Sequence, residues 1–218
     1  MVQKKPKNAA LKQPASFTLG AVILAAGRSA RMGRPKLLLP WGNTSILGYL
    51  IQQWKKLGAQ QITIVCAAND QAMQTELRRL GFPTRDCIYN PAPEHGMFSS
   101  IQCAAAWTEW KTELTHWALV LGDQPHLRND TLHKLVELSA VQQTKVCQPS
   151  HQGKRRHPVV LPGNVFARLI STHATDLKQF LAGCEIAECP SDDPGLDLDI
   201  DRPEDYAKAQ AAAGLGNT

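Results

Sequence analysis

The chain has 218 residues, of which 43% are hydrophobic and 20% charged, so it can bury a core without disulfides or bound metal. No apolar stretch is long enough to span a bilayer, which argues against a membrane-spanning helix. The formal net charge of +5 suits an anionic small molecule as well as a nucleic acid and decides little between them.

Six cysteines are present, and none forms a C-x-x-C pair. This spacing favours reduced thiols in a cytoplasmic protein over a metal or redox site. Residues 1–18 are mostly basic and polar and contain no apolar run of the kind found in a secretory signal. We therefore expect a flexible basic tail over 1–18, followed by a single domain over 19–213.

Buried strands alternate with amphipathic helices in the first two thirds of the sequence. Asn43 or Thr44 is expected to cap the first helix and Gly58 to end it, while Met97 and Ile101 of the third helix are expected to face the core. The alternation predicts a parallel sheet with helices on both faces, in which ligands bind at the carboxyl ends of the strands. The predicted strands are 21–25, 61–67, 85–90 and 117–123, and the predicted helices are 45–58, 71–81, 96–110 and 129–140.

The alternation is looser after residue 144. Two strands, 145–150 and 157–162, are expected to pair antiparallel at an edge of the sheet. The remaining predicted elements are helices around 163–170 and 174–182, a last strand over 196–200 and a final helix over 202–213.

The stretch LAAGRSARMGRPK, residues 24–36, turns a buried strand into a loop with two glycines and four cations. It is neither the G-x-G-x-x-G dinucleotide fingerprint nor a Walker A loop, because its glycine spacing fits neither. Glycines nevertheless let backbone N–H groups approach phosphate oxygens, and Arg and Lys side chains add positive charge. The loop is therefore predicted to bind a polyanion rather than to form a solvated basic turn.

Two carboxylate motifs are candidates for binding a divalent cation. Asp123 in GDQP directly follows a buried strand, and Mg²⁺ prefers few carboxylates together with phosphate oxygens; the alternative is a turn cap. In LDLDIDRPEDY, Asp197, Asp199 and Asp201 alternate with apolar residues, so a strand would place all three on one face. Asp201 could instead cap the final helix, and Asp197 is expected to be solvated.

The stretch EHGMFSSI places a glycine and two hydroxyl groups at the start of the third helix. Gly96 opens this helix, whose N-terminus could accept an anion or the polar edge of a base. Ser99 and Ser100 are either donors to that ligand or helix caps.

A second basic cluster lies in GKRRHPVVL. Lys154, Arg155, Arg156 and His157 form a hairpin-like turn, which could equally be a solvated loop. Because the first basic loop would already hold one polyanion, we expect Arg155, Arg156 and His157 to bind a second anionic ligand, the acceptor of a transferred group, with arginine suited to a bidentate grip on phosphate.

The stretch LAAGRSARMGRPKLLLPWG resembles the signature L-A-[AG]-G-x-S-x-R-M-G-x-x-K of nucleotidyltransferases that act on the molybdenum cofactor. The resemblance continues in the same order through NPAPEHGMFSSI, VLGDQP, HPVVL and DIDRPEDY, over about residues 20–210. The sequence is similar above all to the molybdenum cofactor cytidylyltransferase family, because the guanylyltransferase branch usually has L-A-G-G where this chain has LAAG. Isoprenoid cytidylyltransferases share the opening stretch but carry an H-D-x-A-R-P segment that this sequence lacks.

The resemblance implies an α/β fold, a three-layer Rossmann-like nucleotidyltransferase fold with a mostly parallel sheet. It implies transfer of CMP from CTP to the terminal phosphate of molybdopterin, with release of pyrophosphate. A Mg²⁺ cofactor would be held by Asp123 and Asp201, and Arg31, Lys36 and Asp123 would be catalytic. The nucleotide-binding residues that it implies are Leu24, Ala25, Ala26, Gly27, Arg31, Lys36, Gly96, Ser99 and Ser100.

Three alternatives remain open at this point: a guanylyltransferase or other NTP transferase of the same fold, an oxidoreductase of that fold, and a non-catalytic carrier of the cofactor. The missing dinucleotide fingerprint weighs against the oxidoreductase, and two candidate metal-binding carboxylates weigh against the carrier. The expected partners are CTP and molybdopterin, with an apo-molybdoenzyme or its chaperone as a further candidate. Neither a nucleic acid nor a membrane is expected to bind.

Overall fold

A computed structural model describes residues 16–27 and 32–215. Most of the predicted basic tail, and Arg31 of the first basic loop, therefore lie outside the described residues. The strands are β1 (Leu19–Leu24), β2 (Pro40–Trp41), β3 (Thr44–Ser45), β4 (Gln61–Ala67), β5 (Cys87–Asn90), β6 (His116–Leu121), β7 (Val146–His151), β8 (Lys154–Arg155), β9 (Val159–Pro162) and β10 (Ile186–Pro190).

Helices connect most of these strands. The α-helices are α1 (Ile46–Lys56), α2 (Gln71–Arg79), α3 (Met97–Ala106), α4 (Asn129–Val141), α5 (Gly163–Arg168), α6 (Leu177–Leu181) and α7 (Pro203–Ala212). Short 3₁₀ turns span Lys36–Leu38, Thr84–Asp86, Pro93–His95 and Pro194–Asp197. Across the described parts of the chain, we find no helix of the length and apolarity that a membrane crossing requires.

The main sheet has the strand order β10-β7-β9-β6-β1-β4-β5, with β8 paired to β7. Strands β6, β1, β4 and β5 are parallel neighbours, whereas β9 runs antiparallel to both β6 and β7. The predicted α/β fold with a mostly parallel sheet is therefore confirmed, as is the antiparallel pairing of the later strands. Because β1 and β6 lie side by side and parallel, the loops at their carboxyl ends open into one crevice.

Helices cover both faces of the sheet and give two cores. Along β1, Ala21 and Ile23 belong to the core under α1, α2, α4 and α7, while Val22 and Leu24 belong to the core under α3, α5 and α6. The side chains of β1 alternate in this way because successive residues of a strand point to opposite faces. Two covered faces explain why β1 is buried along its whole length.

Helix α1 begins one or two residues later than the sequence predicts. Ser45, rather than Asn43 or Thr44, is its N-cap, and the Ser45 hydroxyl accepts a hydrogen bond from the Gly48 N–H at 3.1 Å. At the other end, Gly58 has a φ of 89° directly after the helix, as expected for a glycine stop.

The structure differs from the predicted elements in four respects. Residues 196–200 do not form a strand, since Pro194–Asp197 is a 3₁₀ turn and the residues after it are extended without strand pairing. Strand β10, which pairs parallel with β7 and forms the edge, was not expected. Helix α3 ends at Ala106 instead of residue 110, and Met97 is 42% exposed rather than facing the core.

Candidate active site

The carboxyl ends of β1 and β6 line a cavity of about 480 Å³. Ala25 extends the pairing beyond β1, because its N–H donates to the Val65 carbonyl at 2.8 Å. The residues around the start of α3 contribute neutral groups and one carboxylate, that of Glu94. The lining residues are Leu24, Ala25, Ala26, Gly27, Lys36, Leu37, Pro93, Glu94, Gly96, Met97, Ser100, Leu121, Gly122 and Asp123.

Gly122 allows the turn that carries Lys36 to pack directly against the strand ends. A Cβ at this position would lie 2.6 Å from Leu37 Cδ2 and 3.0 Å from the Leu24 carbonyl oxygen. Any larger residue would push the 36–38 turn away from the sheet, and the Lys36 side chain would no longer reach the crevice.

Lys36 lies between two carboxylates that are distant in sequence. Its Nζ is 2.7 Å from Asp123 Oδ2 and 3.4 Å from Asp201 Oδ1. The backbone brings Asp201 here, because the Ile200 N–H donates to the Asp123 carbonyl at 3.1 Å. The three side chains are only 16%, 21% and 32% exposed, in that order, so solvent screens their interaction less than at an open surface.

A third carboxylate, Asp199, lies beside this group. Desolvation in the crevice raises the pKa of Asp199, and the neighbouring charge of Asp123 raises the pKa further. The Gln124 side-chain amide holds Asp199 by donating to its Oδ1 at 2.9 Å. The crevice therefore concentrates negative charge that a bound cation would relieve.

The donor set at Asp123 and Asp201 fits a hard divalent cation. Asp123 Oδ1 is buried and has no hydrogen-bond partner among the described residues, so one carboxylate oxygen is available as a ligand. In the described ranges, His, Cys, Asp and Glu side chains form no group of three arranged to hold a metal ion. The pair would suit Mg²⁺, which takes few protein carboxylates and completes its shell with phosphate oxygens and water.

The start of α3 forms the opposite end of the cavity. Gly96 is the N-cap with a φ of 85°, a conformation that favours glycine. Ser100 is 3% exposed and lines the cavity, whereas Ser99 is not among the lining residues. The Ser99 hydroxyl instead donates to the Gly96 carbonyl at 2.8 Å and stabilises the first helical turn.

The second basic cluster lies on a different side of the crevice, and each of its two arginines is in an ion pair. Arg155 Nε is 2.8 Å from Glu188 Oε1, and Arg156 Nε is 2.6 Å from Asp197 Oδ1. Asp197 Oδ2 also lies 2.7 Å from His151 Nδ1, so the expectation of a merely solvated Asp197 is wrong. These ion pairs fix the orientation of the β7–β8 hairpin.

Two further cavities, of about 340 and 820 Å³, share the basic hairpin as a wall. Arg155, Arg156 and His157 line both of them. Leu121 connects the smaller cavity to the one at the strand ends, and Met97 connects the larger one to it. The basic cluster thus faces space that adjoins the Lys36 site.

His157 contributes no positive charge to this wall at neutral pH. Burial lowers the pKa of His157 to about 4, although the charge of Asp123 acts in the opposite direction. Its Nδ1 is buried and lacks a hydrogen-bond partner among the described residues. The description of His157 as part of a basic cluster is therefore wrong.

The model of the MobA-like NTP transferase domain family matches residues 21–188, which includes β1, Asp123 and the basic hairpin. The chain belongs to this family. Residues 189–218, with Asp197, Asp199 and Asp201, lie beyond the matched range.

Two relatives of this MobA-like NTP transferase match over most of its length. The molybdenum cofactor cytidylyltransferase of Escherichia coli is 25% identical over 193 residues, which cover 88% of this chain and 95% of the relative. The nicotine blue oxidoreductase of Paenarthrobacter nicotinovorans is 27% identical over 191 residues, with 82% and 90% covered. These two relatives therefore differ in the activity that their names state.

Among solved structures, the Mycobacterium tuberculosis protein Rv0371c has the same fold, with a TM-score of 0.70 and 24% identity. It covers 88% of this MobA-like chain, and 97% of Rv0371c is covered in turn. A complex of Rv0371c with manganese is also similar, with a TM-score of 0.66 and 22% identity.

The structure of this family member brings together most of the residues singled out from the sequence. Lys36, Asp123 and Asp201 meet in one cluster. Leu24, Ala25, Ala26, Gly27, Gly96 and Ser100 line the adjoining cavity, and Arg155, Arg156 and His157 line its neighbours.

One polar residue of this site escaped sequence reasoning. Asn90 ends β5, is 1% exposed and contacts both serines of α3. The sequence indicated Asn90 only by its position as the first residue of NPAPEHGMFSSI, the stretch that carries part of the resemblance.

Proposed function

We propose that this protein transfers CMP from CTP to the terminal phosphate of molybdopterin or its molybdenum-loaded form and releases pyrophosphate. The observation that carries the proposal is the meeting of Lys36 with Asp123 and Asp201 at the mouth of the strand-end cavity. A lysine beside two carboxylates suits a site that binds triphosphate together with a divalent cation.

In the proposed reaction, a terminal phosphate oxygen of the acceptor attacks the α-phosphorus of CTP. The bond from that phosphorus to the oxygen bridging it to the β-phosphate breaks, and pyrophosphate leaves. The acceptor phosphate is already a nucleophile, so the protein's task is alignment and neutralisation of charge. Lys36 and Arg31 would bind the β- and γ-phosphates and the departing pyrophosphate, and Arg31 is proposed from the sequence alone.

Asp123 and Asp201 would hold Mg²⁺ in this site. When bound, the ion would neutralise developing charge on the reacting phosphate groups. The chain's own residues would do the positioning: Ala26 and Gly27 line the cavity in which the triphosphate would lie, and the 36–38 turn holds Lys36 beside Asp123.

The acceptor would enter from the side of the basic hairpin. Arg155 and Arg156 line the two cavities that adjoin the strand-end cavity through Leu121 and Met97. An acceptor that is a phosphate ester suits a wall with two guanidinium groups. His157, neutral at pH 7, would orient the acceptor rather than neutralise it.

The direct test is pyrophosphate release with purified protein, CTP, Mg²⁺ and molybdopterin, with identification of the nucleotide adduct. Release that requires CTP and molybdopterin together would support the proposal. Preferential use of GTP would favour the guanylyltransferase alternative. Acceptor binding without turnover of any nucleoside triphosphate would favour a carrier, and NAD(P)H-dependent reduction of an organic substrate would favour the activity named for the Paenarthrobacter relative.

A further inference from the structure

We propose that Asn90 is a positioning residue that directs the Ser100 hydroxyl to donate a hydrogen bond to an acceptor atom of the nucleobase. The proposal rests on the proposed nucleotide-binding function and adds to it a residue that contacts no ligand itself. Asn90 lies at the carboxyl end of β5, and Ser100 lies in the first turn of α3.

The hydrogen bonds of Asn90 fix which end of its side-chain amide faces the helix. Asn90 Oδ1 accepts from the Ala92 backbone N–H at 2.9 Å, and an N–H can only donate. The amide nitrogen must therefore face the hydroxyls, and it donates to Ser99 Oγ at 2.8 Å and Ser100 Oγ at 3.0 Å.

The two serines differ in where their own protons go. The Ser99 hydroxyl donates to the Gly96 carbonyl at 2.8 Å, so its proton is used within the helix cap. Ser100 Oγ accepts from Asn90, and among the described residues no group accepts the Ser100 proton. Since Ser100 is 97% buried and lines the cavity, its proton is directed to whatever occupies that cavity.

The surroundings of Ser100 favour a base over a phosphate. Lys36 supplies the positive charge among the described lining residues, and it belongs to the Asp123 cluster. Pro93 and Met97 line the same cavity near the start of α3, together with Glu94, whose carboxylate would repel a phosphate. A neutral donor among apolar groups suits a carbonyl oxygen or ring nitrogen of a base, whereas a triphosphate would favour the lysine.

The sharpest variant is Asn90→Asp, which keeps the size of the side chain and the acceptor for Ala92. A carboxylate accepts but does not donate, so the Ser100 proton would turn toward it and away from the nucleotide. We expect Asn90→Asp and Ser100→Ala each to weaken CTP binding about three- to tenfold, the loss of one hydrogen bond. Ser139→Ala, which removes a buried helical hydroxyl of α4 that donates to the Leu135 carbonyl, is the matched control and should leave CTP affinity unchanged.

The measurement is the Kd for CTP by calorimetry in the presence of Mg²⁺ and without acceptor, with the melting temperature of each variant recorded. In the Ser100→Ala background, Asn90→Asp should cause no further loss of CTP affinity. A full additional loss there would show that Asn90 acts by some route other than Ser100 and would overturn the proposal.

Inorganic triphosphate separates the base from the phosphates. Ser100→Ala should leave the Kd for triphosphate unchanged, and an equal loss for triphosphate and CTP would overturn the assignment to the base. If Asn90→Asp does not fold, the comparison of Ser139→Ala with Ser100→Ala still decides, since equal effects of the two variants on the Kd for CTP contradict the proposal. If the wild-type protein binds no nucleoside triphosphate, the proposed function is overturned as well. If the wild-type protein binds CTP but neither Asn90→Asp nor Ser100→Ala weakens that binding, this inference alone is overturned.

Discussion

Lys36 Nζ lies 2.7 Å from Asp123 Oδ2, so the lysine proposed to bind phosphate forms an ion pair with a carboxylate proposed to bind metal. Asp201 shares the same ammonium group at 3.4 Å. In the absence of ligand, Lys36 thus offsets the repulsion between two carboxylates that would otherwise face each other. Lys36 should therefore contribute both to the stability of the metal-free protein and to the rate of transfer.

Lys36→Met keeps the length of the side chain and removes its charge. Without metal, the variant should melt at a lower temperature than wild type, because Asp123 and Asp201 lose a shared cation. Added Mg²⁺ should raise its melting temperature more than that of wild type, since the Lys36 ammonium group no longer competes for the carboxylates. The rate of CMP transfer should fall by about 10²–10³-fold, as for loss of a key electrostatic contact.

The matched control for this variant is Lys56→Met, which removes an exposed lysine at the end of α1. It should change neither the melting temperature in Mg²⁺ nor the transfer rate. An equal response of wild type and Lys36→Met to Mg²⁺ would mean that the lysine and the metal do not share these carboxylates.

Asp123→Asn preserves shape and removes charge from the carboxylate with the unpartnered buried oxygen. Folding should survive while Mg²⁺-dependent transfer falls by about 10²–10³-fold, and Asp201→Asn should behave similarly. Circular dichroism and steady-state kinetics over a range of Mg²⁺ concentrations measure the two effects. Asp192→Asn, at a carboxylate 97% exposed, is the control, and a near-normal rate of Asp123→Asn at saturating Mg²⁺ would make the ligand assignment wrong.

The central strands and the residues at their ends could be predicted because local pattern and burial agree there. β1 is a continuous apolar run because both of its faces are covered, and the parallel arrangement then places Asp123 beside the end of β1. Sequence alone could not show that Lys36 reaches Asp123 and Asp201, because this depends on the close packing of the 36–38 turn on Gly122.

The region after residue 185 shows why the rest could not be predicted. Leu196 and Ile200 are buried, so the alternation in LDLDI correctly indicated which side chains face the core. It did not indicate a strand, because no neighbouring strand pairs with this segment and Ile200 instead bonds to the Asp123 carbonyl. Strand β10 was missed for the opposite reason, since an edge strand with an exposed Glu188 lacks an apolar pattern.

Base selectivity should depend on Ala26, which lines the strand-end cavity and is 9% exposed. We expect a higher kcat/KM with CTP than with GTP, because a Cβ here leaves less room for a purine. Ala26→Gly, which matches the L-A-G-G of guanylyl relatives, should shift the ratio toward GTP, and Ala25→Gly is the control for a looser backbone. Equal or better use of GTP by the wild-type protein would contradict the prediction.

Stability should decrease as the pH falls below neutral, in part because of His116. Burial lowers the pKa of His116, although its contact with the Gln143 carbonyl acts in the opposite direction. The unfolded chain therefore takes up a proton on this residue at a higher pH than the folded chain, and the free energy of unfolding decreases as the pH falls through the unfolded pKa toward the lowered one. The neutral ring packs against Phe17 and lies 2.9 Å from Thr115 Oγ1.

The measurement is urea unfolding of wild type and His116→Gln between pH 7.5 and pH 5, conditions chosen to span the ordinary histidine pKa of about 6.5. At the higher pH, His116→Gln should be less stable than wild type. On acidification, His116→Gln should lose less free energy of unfolding than wild type does. Parallel curves for the two proteins would show that His116 does not contribute to the pH dependence.

Arg155 and Arg156 should affect the acceptor far more than the nucleotide. Each charge-assisted contact with an acceptor phosphate contributes about 1.5–3 kcal/mol, so Arg155→Ala with Arg156→Ala should raise KM for molybdopterin by at least about tenfold. KM for CTP should change little, because the hairpin lines the neighbouring cavities rather than the one at the strand ends. Arg79→Ala, which removes another ion-paired arginine on α2, is the control.

The ion pair between Arg156 and Asp197 provides a test that separates acceptor binding from hairpin stability. Asp197→Asn weakens the ion pair but keeps both arginines, so it should leave KM for molybdopterin unchanged or lower it, because Arg156 becomes more available to the acceptor. If Asp197→Asn raises this KM as much as the double arginine variant does, the arginines act by fixing the hairpin. A rise confined to KM for CTP would place the hairpin on the nucleotide side, and unchanged KM values in the double variant would make it a solvated turn.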